Sequence, residues 1–588
     1  MRPRRLLTSV VLITLLTAVA GAQQASTTRG VAAINEPDLK TWLTYLSSDE
    51  MQGRATYTEG LGLAAGYIAA HLQQWGVKPA GDNGTYLQTV RVLGIRANSK
   101  ASITVDVNGQ TRTFKDGEGV TFPRQMGGKQ TIDGSEIAFV GYGLEVPAAE
   151  IDDYGDLAAK GKVILYLGPQ GPATLPQGSG RLLTARARNA FDKGAAAVIT
   201  ASVARGGGRG ATPAAVAPAP AAGATPATPT TAGAPAAPVT PPAQPAGGRG
   251  FGPPQVDNGD FTTVQRYDAI TPPQVTAQDE FLEFLFSGAE VKYADLKEKA
   301  AKREPLPRFL LKGVKMTINV DADYQVVRTR LTHNVVGIIE GSDPKLKDTY
   351  VAYGAHYDHT GFRESAKPGE DMINNGADDD GSGTVAIMAI AKAFATGPKP
   401  KRSILLVWHA GEENGLLGSE YMADHPVGGD INKIVTQLNM DMVGRNQNDD
   451  AANSNMVLIV GSDRISTELH NINEEANAAL AKPLSLDYTM NDPADRESIY
   501  TRSDHYSYAS KGVPIVFYFT GLHPDYHRPS DTVDKIIFDK IQRIAHLAYE
   551  TGRRVANSDK APAKDNLGPR AGKGHKGRLP TADKSVGK

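Results

Sequence analysis

The chain has 588 residues, with 63 Lys and Arg against 64 Asp and Glu and no cysteine. At ~100–200 residues per domain, that length predicts two or three domains with ample core material. A formal net charge of −1 argues against nucleic-acid binding, which needs a basic surface. Without cysteine there are no disulfides, thiol nucleophiles or iron–sulfur clusters, so any metal must be held by His, Asp and Glu.

At the start, Arg2, Arg4 and Arg5 precede an apolar stretch over residues 6–20, and Ala20-Gly21-Ala22 supplies a small-residue cleavage pattern. Residues 1–22 are therefore expected to be a secretory signal peptide. The stretch is too short for a good membrane span, and no later run is long enough. The expected product is exported, periplasmic or extracellular, with no stable membrane insertion after signal removal.

Further along, Leu61, Ala64, Ile68, Leu72 and Trp75 fall on one helical face. The region 134–300 has a different texture, with strands expected at 137–140, 162–167 and 195–199 and a helix at 184–193. It reads as a module inserted into a discontinuous domain made of residues 23–133 and 301–558. Within it, 205–254 is nearly all Ala, Pro, Gly and Thr, and cannot bury enough surface to offset its ordering entropy. After residue 334, apolar runs at 334–339, 350–355, 404–408, 434–438, 457–460 and 515–519 alternate with helical patterns such as Ile465, Leu469, Ile472, Ala476 and Leu480. Continuous rather than alternating hydrophobicity suggests strands buried on both faces. The predicted fold is α/β, a mainly parallel-stranded mixed sheet covered by helices. Residues 559–588 form a basic tail with no periodicity, expected to be disordered.

In such a sheet, ligands bind beyond the carboxyl ends of the strands. His356, Asp358 and His359 follow the run at 350–355, and Glu412 and Glu413 follow 404–408. Asp441 follows 434–438, and His523, Asp525, Tyr526 and His527 follow 515–519. A further cluster, Asp378-Asp379-Asp380-Gly381, precedes a helical pattern. Carboxylates packed together repel unless a cation neutralises them, and mixed His and carboxylate ligation points first to zinc. The Asp378–Gly381 run fails the calcium-loop spacing. There is no HExxH motif and no G-x-S-x-G nucleophile elbow.

The ordered set His356-Tyr357-Asp358, Asp378-Asp379-Asp380-Gly381-Ser382-Gly383, Gly411-Glu412-Glu413, Asn439-Met440-Asp441 and Tyr526-His527 resembles the co-catalytic di-zinc exopeptidases of the aminopeptidase Y and bacterial leucine aminopeptidase type. Glutamate carboxypeptidase II and the transferrin receptor are distant relatives of that family. The similarity runs from about Leu43, through Gly53-Arg54 and Ala80-Gly81-Asp82, to about Ile541. The inserted module resembles a protease-associated domain through Asp153-Tyr154-Gly155-Asp156-Leu157. The resemblance implies two Zn²⁺ ions, with Asp379 bridging, His356 and Asp441 on one metal, and Glu413 and His527 on the other. It implies Glu412 as general base, Asp358 as the group orienting His356, and Tyr526 as a stabiliser of the tetrahedral intermediate.

These roles are chemically coherent. Two metals ~3.5–4 Å apart can activate a water between them, and a bridging ligand needs two oxygens. The expected function is removal of N-terminal residues from peptides, with Asp378 as a spare acid for the free amine. A carboxypeptidase or an N-acyl amino-acid hydrolase on the same metals stays open, as does a non-catalytic receptor-like binding protein. His359 and His523 read either as pocket residues or as loop polarity, His409 as packing, and Asp504-His505 as structural or pocket residues.

Overall fold

The computed structural model describes residues 30–134, 136–146, 149–202, 261–363, 367, 369–492 and 495–565. The expected signal peptide and the Ala/Pro-rich segment 205–254 lie outside the described residues, as does most of the expected tail. Residues 559–565 are described and dock. The Thr467 amide donates to Asp565 Oδ1 at 2.8 Å, and the Ala563 amide donates to Glu468 Oε2 at 2.9 Å.

The main sheet runs in the order Phe261–Thr263, Leu87–Ser99, Ala322–Ile339, Ser403–His409, Tyr350–His356, Ile434–Met440, Ile515–Phe519, Met456–Val460, Ser485–Asp487. Its four central strands, from Ser403–His409 to Ile515–Phe519, are parallel. The sheet is mixed, as expected, with its parallel strands at the centre and mostly antiparallel pairing on the flanks. Ala322–Ile339 pairs antiparallel with both neighbours, and Met456–Val460 runs antiparallel to Ile515–Phe519. The reason lies in burial. Every residue of the four central strands is buried, so each reads as a continuous apolar run. Leu87–Ser99 and much of Ala322–Ile339 form a ribbon with exposed positions, and their sequence carries no such run.

Side chains alternate between the two faces. Val351, Tyr353 and Ala355 join a core with the helices Glu36–Leu46, Glu59–Gln74, Gly383–Thr396 and Phe538–Asn557. Tyr350 and Ala352 join a core on the opposite face with Met422 and Tyr508. Helix Glu59–Gln74 buries the predicted Leu61, Ala64, Ile68 and Leu72. Asn35 caps Glu36–Leu46 by accepting from the Asp38 amide at 3.0 Å, and Ser466 caps Thr467–Ala478 through the Leu469 amide at 3.1 Å. Among the described residues no helix is long and apolar enough to cross a membrane.

A second layer holds a six-stranded and a four-stranded sheet. The strands Ile137–Val140, Val163–Tyr166 and Ala197–Ala201 and the helix Gly180–Asp192 fall where the sequence places them. The segment 134–300 does not pack by itself, however. Ile103 and Val105 on one side and Met316 and Ile318 on the other share a core with Phe139, Val163 and Ile199. The packed layer therefore also takes in described residues on both sides of the expected insertion, because Ser102–Val107 and Val314–Val320 pair with each other across it.

Candidate active site

Three parallel strands end at one rim. His356 closes Tyr350–His356, Glu412 and Glu413 follow Ser403–His409, and Asp441 follows Ile434–Met440. The tight turn Ala377–Ser382 brings in Asp379, and the loop after Ile515–Phe519 brings in His527. That turn needs Gly376 in the left-handed region (φ 56°). A Cβ there would lie 2.3 Å from the Asp379 carbonyl and 2.6 Å from the His359 ring.

Two groups of ligand atoms converge, and they share Asp379. His356, Asp379 and Asp441 form the first, and His359, Asp379 and Glu413 the second, with each group's atoms within 4.8 Å of one another. His527 joins the second group, with Nε2 3.0 Å from Asp379 Oδ2 and 3.1 Å from Glu413 Oε2. The structure thus brings together all five residues to which the resemblance gives metal ligation. It adds His359, whose Nδ1 lies 2.9 Å from Glu413 Oε1. His359 stands three residues after His356 at the same strand end, so the strand-end rule alone could have promoted it.

The donor set fits divalent cations. Asp379 Oδ2, Glu413 Oε1 and both ring nitrogens of His359 are buried without a hydrogen bond, although they face one another. Atoms that converge without hydrogen-bonding alignment are arranged as ligands around a common ion, and native structures rarely leave buried polar atoms otherwise unsatisfied. Among the protein groups alone, burial would raise Asp379, but the close imidazoles of His356 and His527 hold it well below the usual carboxylate range. Glu413 also resists burial and the nearby Asp379 charge, pulled down to about 2 by His527 and His359. Glu412, by contrast, is held well above its ordinary value by burial, with the charges of Glu413 and Asp441 reinforcing the shift over the opposing pull of His356. The two adjacent glutamates sit in opposite electrostatic settings.

The expected role of Asp358 needs correction in its atoms. His356 Nδ1–H donates to the main-chain oxygen of Asp358 at 3.1 Å, while the carboxylate lies 3.7 Å from the ring. That carboxylate instead accepts from the Glu412 amide at 3.1 Å and from Thr56 Oγ1 at 3.0 Å, and Thr56 in turn accepts from Asn414 at 2.7 Å. Asp358 therefore fixes His356 through its backbone and the Glu412 loop through its side chain. Asp378 is not a spare acid. Its Oδ1 accepts from the Gly444 amide at 2.6 Å, and its Oδ2 faces His523 at 3.3 Å in a fully buried position. His409 does more than pack, for it pairs with the Tyr508 hydroxyl at 2.9 Å and faces Asp504 at 3.3 Å. His505 bonds the Tyr500 carbonyl at 2.8 Å and stacks on Phe517, a structural role.

Two supporting residues had no assigned role in the sequence. Arg54, fully buried, donates to the carbonyls of Tyr357 (2.9 Å), Leu46 (2.5 Å), Asn375 (2.8 Å) and Gly376 (2.9 Å). It ties the His356 strand end to the turn that carries Asp379. Asp531 completes that turn by accepting from the Asp378 and Asp379 amides at 3.0–3.1 Å. A small, partly open cavity lies beside the cluster. Asp379, Glu412 and Asp441 form its polar wall with Tyr526, whose ring stacks on His527 at 3.9 Å, and Met442, Phe517, Phe519 and Leu522 make it apolar.

A probable leucine aminopeptidase of Arthroderma otae is 28% identical over 233 residues, covering 37% of this chain and 57% of the relative. A probable leucine aminopeptidase 2 of Aspergillus oryzae is 34% identical over 196 residues, covering 33% of this chain and 34% of the relative. The chain thus spans about half or less of the length of these curated relatives. A zinc aminopeptidase from Bacillus subtilis is similar over 91% of this chain and 98% of its own, at 16% identity and a TM-score of 0.42. Residues 334–552, which supply every ligand described above, match the model of Peptidase family M28.

Proposed function

We propose that the chain is an exported zinc aminopeptidase that hydrolyses N-terminal residues from peptides. The observation that carries this reading is the pair of ligand groups sharing Asp379 at the wall of an apolar cavity that also holds Glu412. His356, Asp379 and Asp441 would hold one zinc, and Asp379, Glu413 and His527, with His359 beside them, the other. Zinc bound there would supply Lewis acidity and a water of lowered pKa.

The remaining chemistry belongs to the chain. Glu412 reaches the polar wall of the cavity while its main chain is pinned by Asp358, so its carboxylate is placed to take a proton and return it to the leaving amine. The Tyr526 hydroxyl lines the same wall and can donate to the oxyanion that develops on the scissile carbonyl. Met442, Phe517, Phe519 and Leu522 suit an apolar first side chain, and the acidic residues lining the same cavity favour a free α-amine over a second carboxylate. We read residues 1–22 as the export signal and the second layer as a module of the protease-associated type.

The competing reading, a carboxypeptidase or N-acyl amino-acid hydrolase, draws support from Arg502, a guanidinium at the cavity that could take a substrate carboxylate. That charge already faces Glu497 at 3.1 Å, which favours the aminopeptidase. Leucyl and other aminoacyl chromogenic substrates, free and N-acetylated, assayed with and without a chelator, test this. Turnover of the free substrates only, abolished by chelation and restored by zinc, is expected. Equal or better turnover of the acetylated substrates would overturn the aminopeptidase assignment.

A further inference from the structure

The second layer reaches the catalytic cavity through one strand-free segment, residues 496–506. Arg496 Nη1 donates to the Gln177 carbonyl at 3.3 Å, and the Arg188 guanidinium lies 5.2 Å from the centre of the Tyr506 ring. Between these contacts sits Glu497. Its Oε2 takes two guanidinium groups from opposite sides, Arg181 Nε at 3.0 Å and Arg502 Nη1 at 3.1 Å. Arg181 opens helix Gly180–Asp192 of the second layer, whereas Arg502 borders the cavity. The other arm of Arg502 points inward, with Nη2 3.4 Å from the Tyr526 hydroxyl.

A guanidinium is planar, so fixing one arm aims the other. Glu497 fixes the outer arm of Arg502, and Arg181 fixes the carboxylate that does so. We propose that Arg181 and Glu497 are positioning residues for the reaction. In this assignment the inserted layer sets the direction of the Tyr526 hydroxyl through the chain Arg181–Glu497–Arg502. Glu497 has a second effect, since it balances the Arg502 charge at the cavity edge and so keeps that edge from drawing substrate carboxylates. The inference rests on the reading of Tyr526 as the donor to the developing oxyanion.

The three side chains are partly exposed, at 33%, 37% and 17% for Arg181, Glu497 and Arg502. Ion pairs of that kind add little to stability, so cutting the chain is expected to leave the fold intact. The test uses the full zinc-loaded chain and compares Arg181→Ala, Arg181→Lys, Glu497→Gln, Tyr526→Phe and the double variant Arg181→Ala/Tyr526→Phe. Misplacing a catalytic group by about 1 Å can cost ~10²-fold, so a loosened donor is expected to lower kcat by about 10-fold in Arg181→Ala and Glu497→Gln. Arg181→Lys should recover most of the loss, while zinc content and Tm stay at the parent values. In the Tyr526→Phe background, Arg181→Ala should have no further effect.

Binding supplies a readout independent of turnover. An aminoboronic acid, which takes up a tetrahedral geometry, should bind about 10-fold more weakly to Arg181→Ala, and free leucine should bind unchanged. Multiplicative losses in the double variant, or equal weakening of both ligands, would overturn the chain. Full activity of Tyr526→Phe would overturn both the chain and the reading of Tyr526. An impaired Tyr526→Phe beside an indifferent Arg181→Ala and Glu497→Gln would overturn the chain alone.

Discussion

Two buried arginines do the same thing in different places. Arg54, at the catalytic rim, donates to four main-chain carbonyls, and Arg186, in the second layer, donates to those of Leu183, Tyr142, Leu167 and Gly168. Both tie together loops that would otherwise leave buried carbonyls unpaired. The carbonyls held by Arg186 belong to the layer's own strand ends and helix. Those held by Arg54 adjoin His356 and the Asp379 turn, so one packing device also sets ligand geometry. Around Arg54, moreover, buried carboxylate and imidazole atoms face one another without hydrogen bonds. A folded chain keeps such an arrangement where a cation completes it.

The largest effect is expected at the rim. Glu412→Gln should keep its zinc while turnover falls by ~10²–10⁴-fold, the usual share of general acid–base catalysis. Glu413→Ala should lose metal, with some activity returning in excess zinc. Zinc content and kcat of the two variants decide. If Glu412→Gln loses zinc and Glu413→Ala keeps it, the roles are exchanged.

The arginines themselves come next. Arg54→Met and Arg186→Met should each destabilise the fold by about 3–5 kcal/mol, the range for breaking a buried charged network. Only Arg54→Met should also weaken zinc affinity under conditions where the chain is still folded. Denaturant titration together with zinc competition against a chelator measures both quantities. Equal zinc affinity in the two variants would reduce Arg54 to a packing residue.

A smaller effect is expected from the segment 205–254. Its composition provides almost no core-forming side chains, and each doubling of loop length costs only ~0.6 kcal/mol. Replacing it by a short Gly/Ser linker should shift stability by less than about 1 kcal/mol. Loss of folded protein on deletion would show that the segment packs.

How much of this was legible beforehand depended on whether the physics was local. The central strands were, because burial on both faces writes itself as an apolar run, as in Tyr350–His356 and Ser403–His409. Their ends then gave His356, Glu413 and Asp441 by rule. The antiparallel ribbon Leu87–Ser99 with Ala322–Ile339 was hidden by its exposed positions, and with it the true extent of the second layer. Asp378 misled for a related reason. Its sequence neighbours are acidic, but its fate is set by the Gly444 amide and by His523, both far along the chain. Arg54 was visible as part of a Gly-Arg pair, yet three of its four acceptors are non-local, 303 to 322 positions away.

The last and smallest prediction isolates the second layer by pH. Asp153 accepts from the Leu144 amide at 2.9 Å, but burial outweighs that bond and lifts its carboxyl from 3.8 to about 6. A carboxyl raised on folding binds more protons in the folded state between those two values. By linkage, stability is then full below pH ~3.8 and falls as pH rises through about 6. This is opposite in sign to the acid sensitivity expected from Asp379 and Glu413, whose carboxyls are depressed. Asp153→Asn keeps an acceptor for the Leu144 amide and removes the charge. It should therefore be more stable than the parent at pH 7 by on the order of 1–2 kcal/mol and no different near pH 4. Denaturation at both pH values with zinc content monitored separates this from the rim. A variant that loses stability at pH 7 would mean that the Asp153 charge is satisfied in the folded chain.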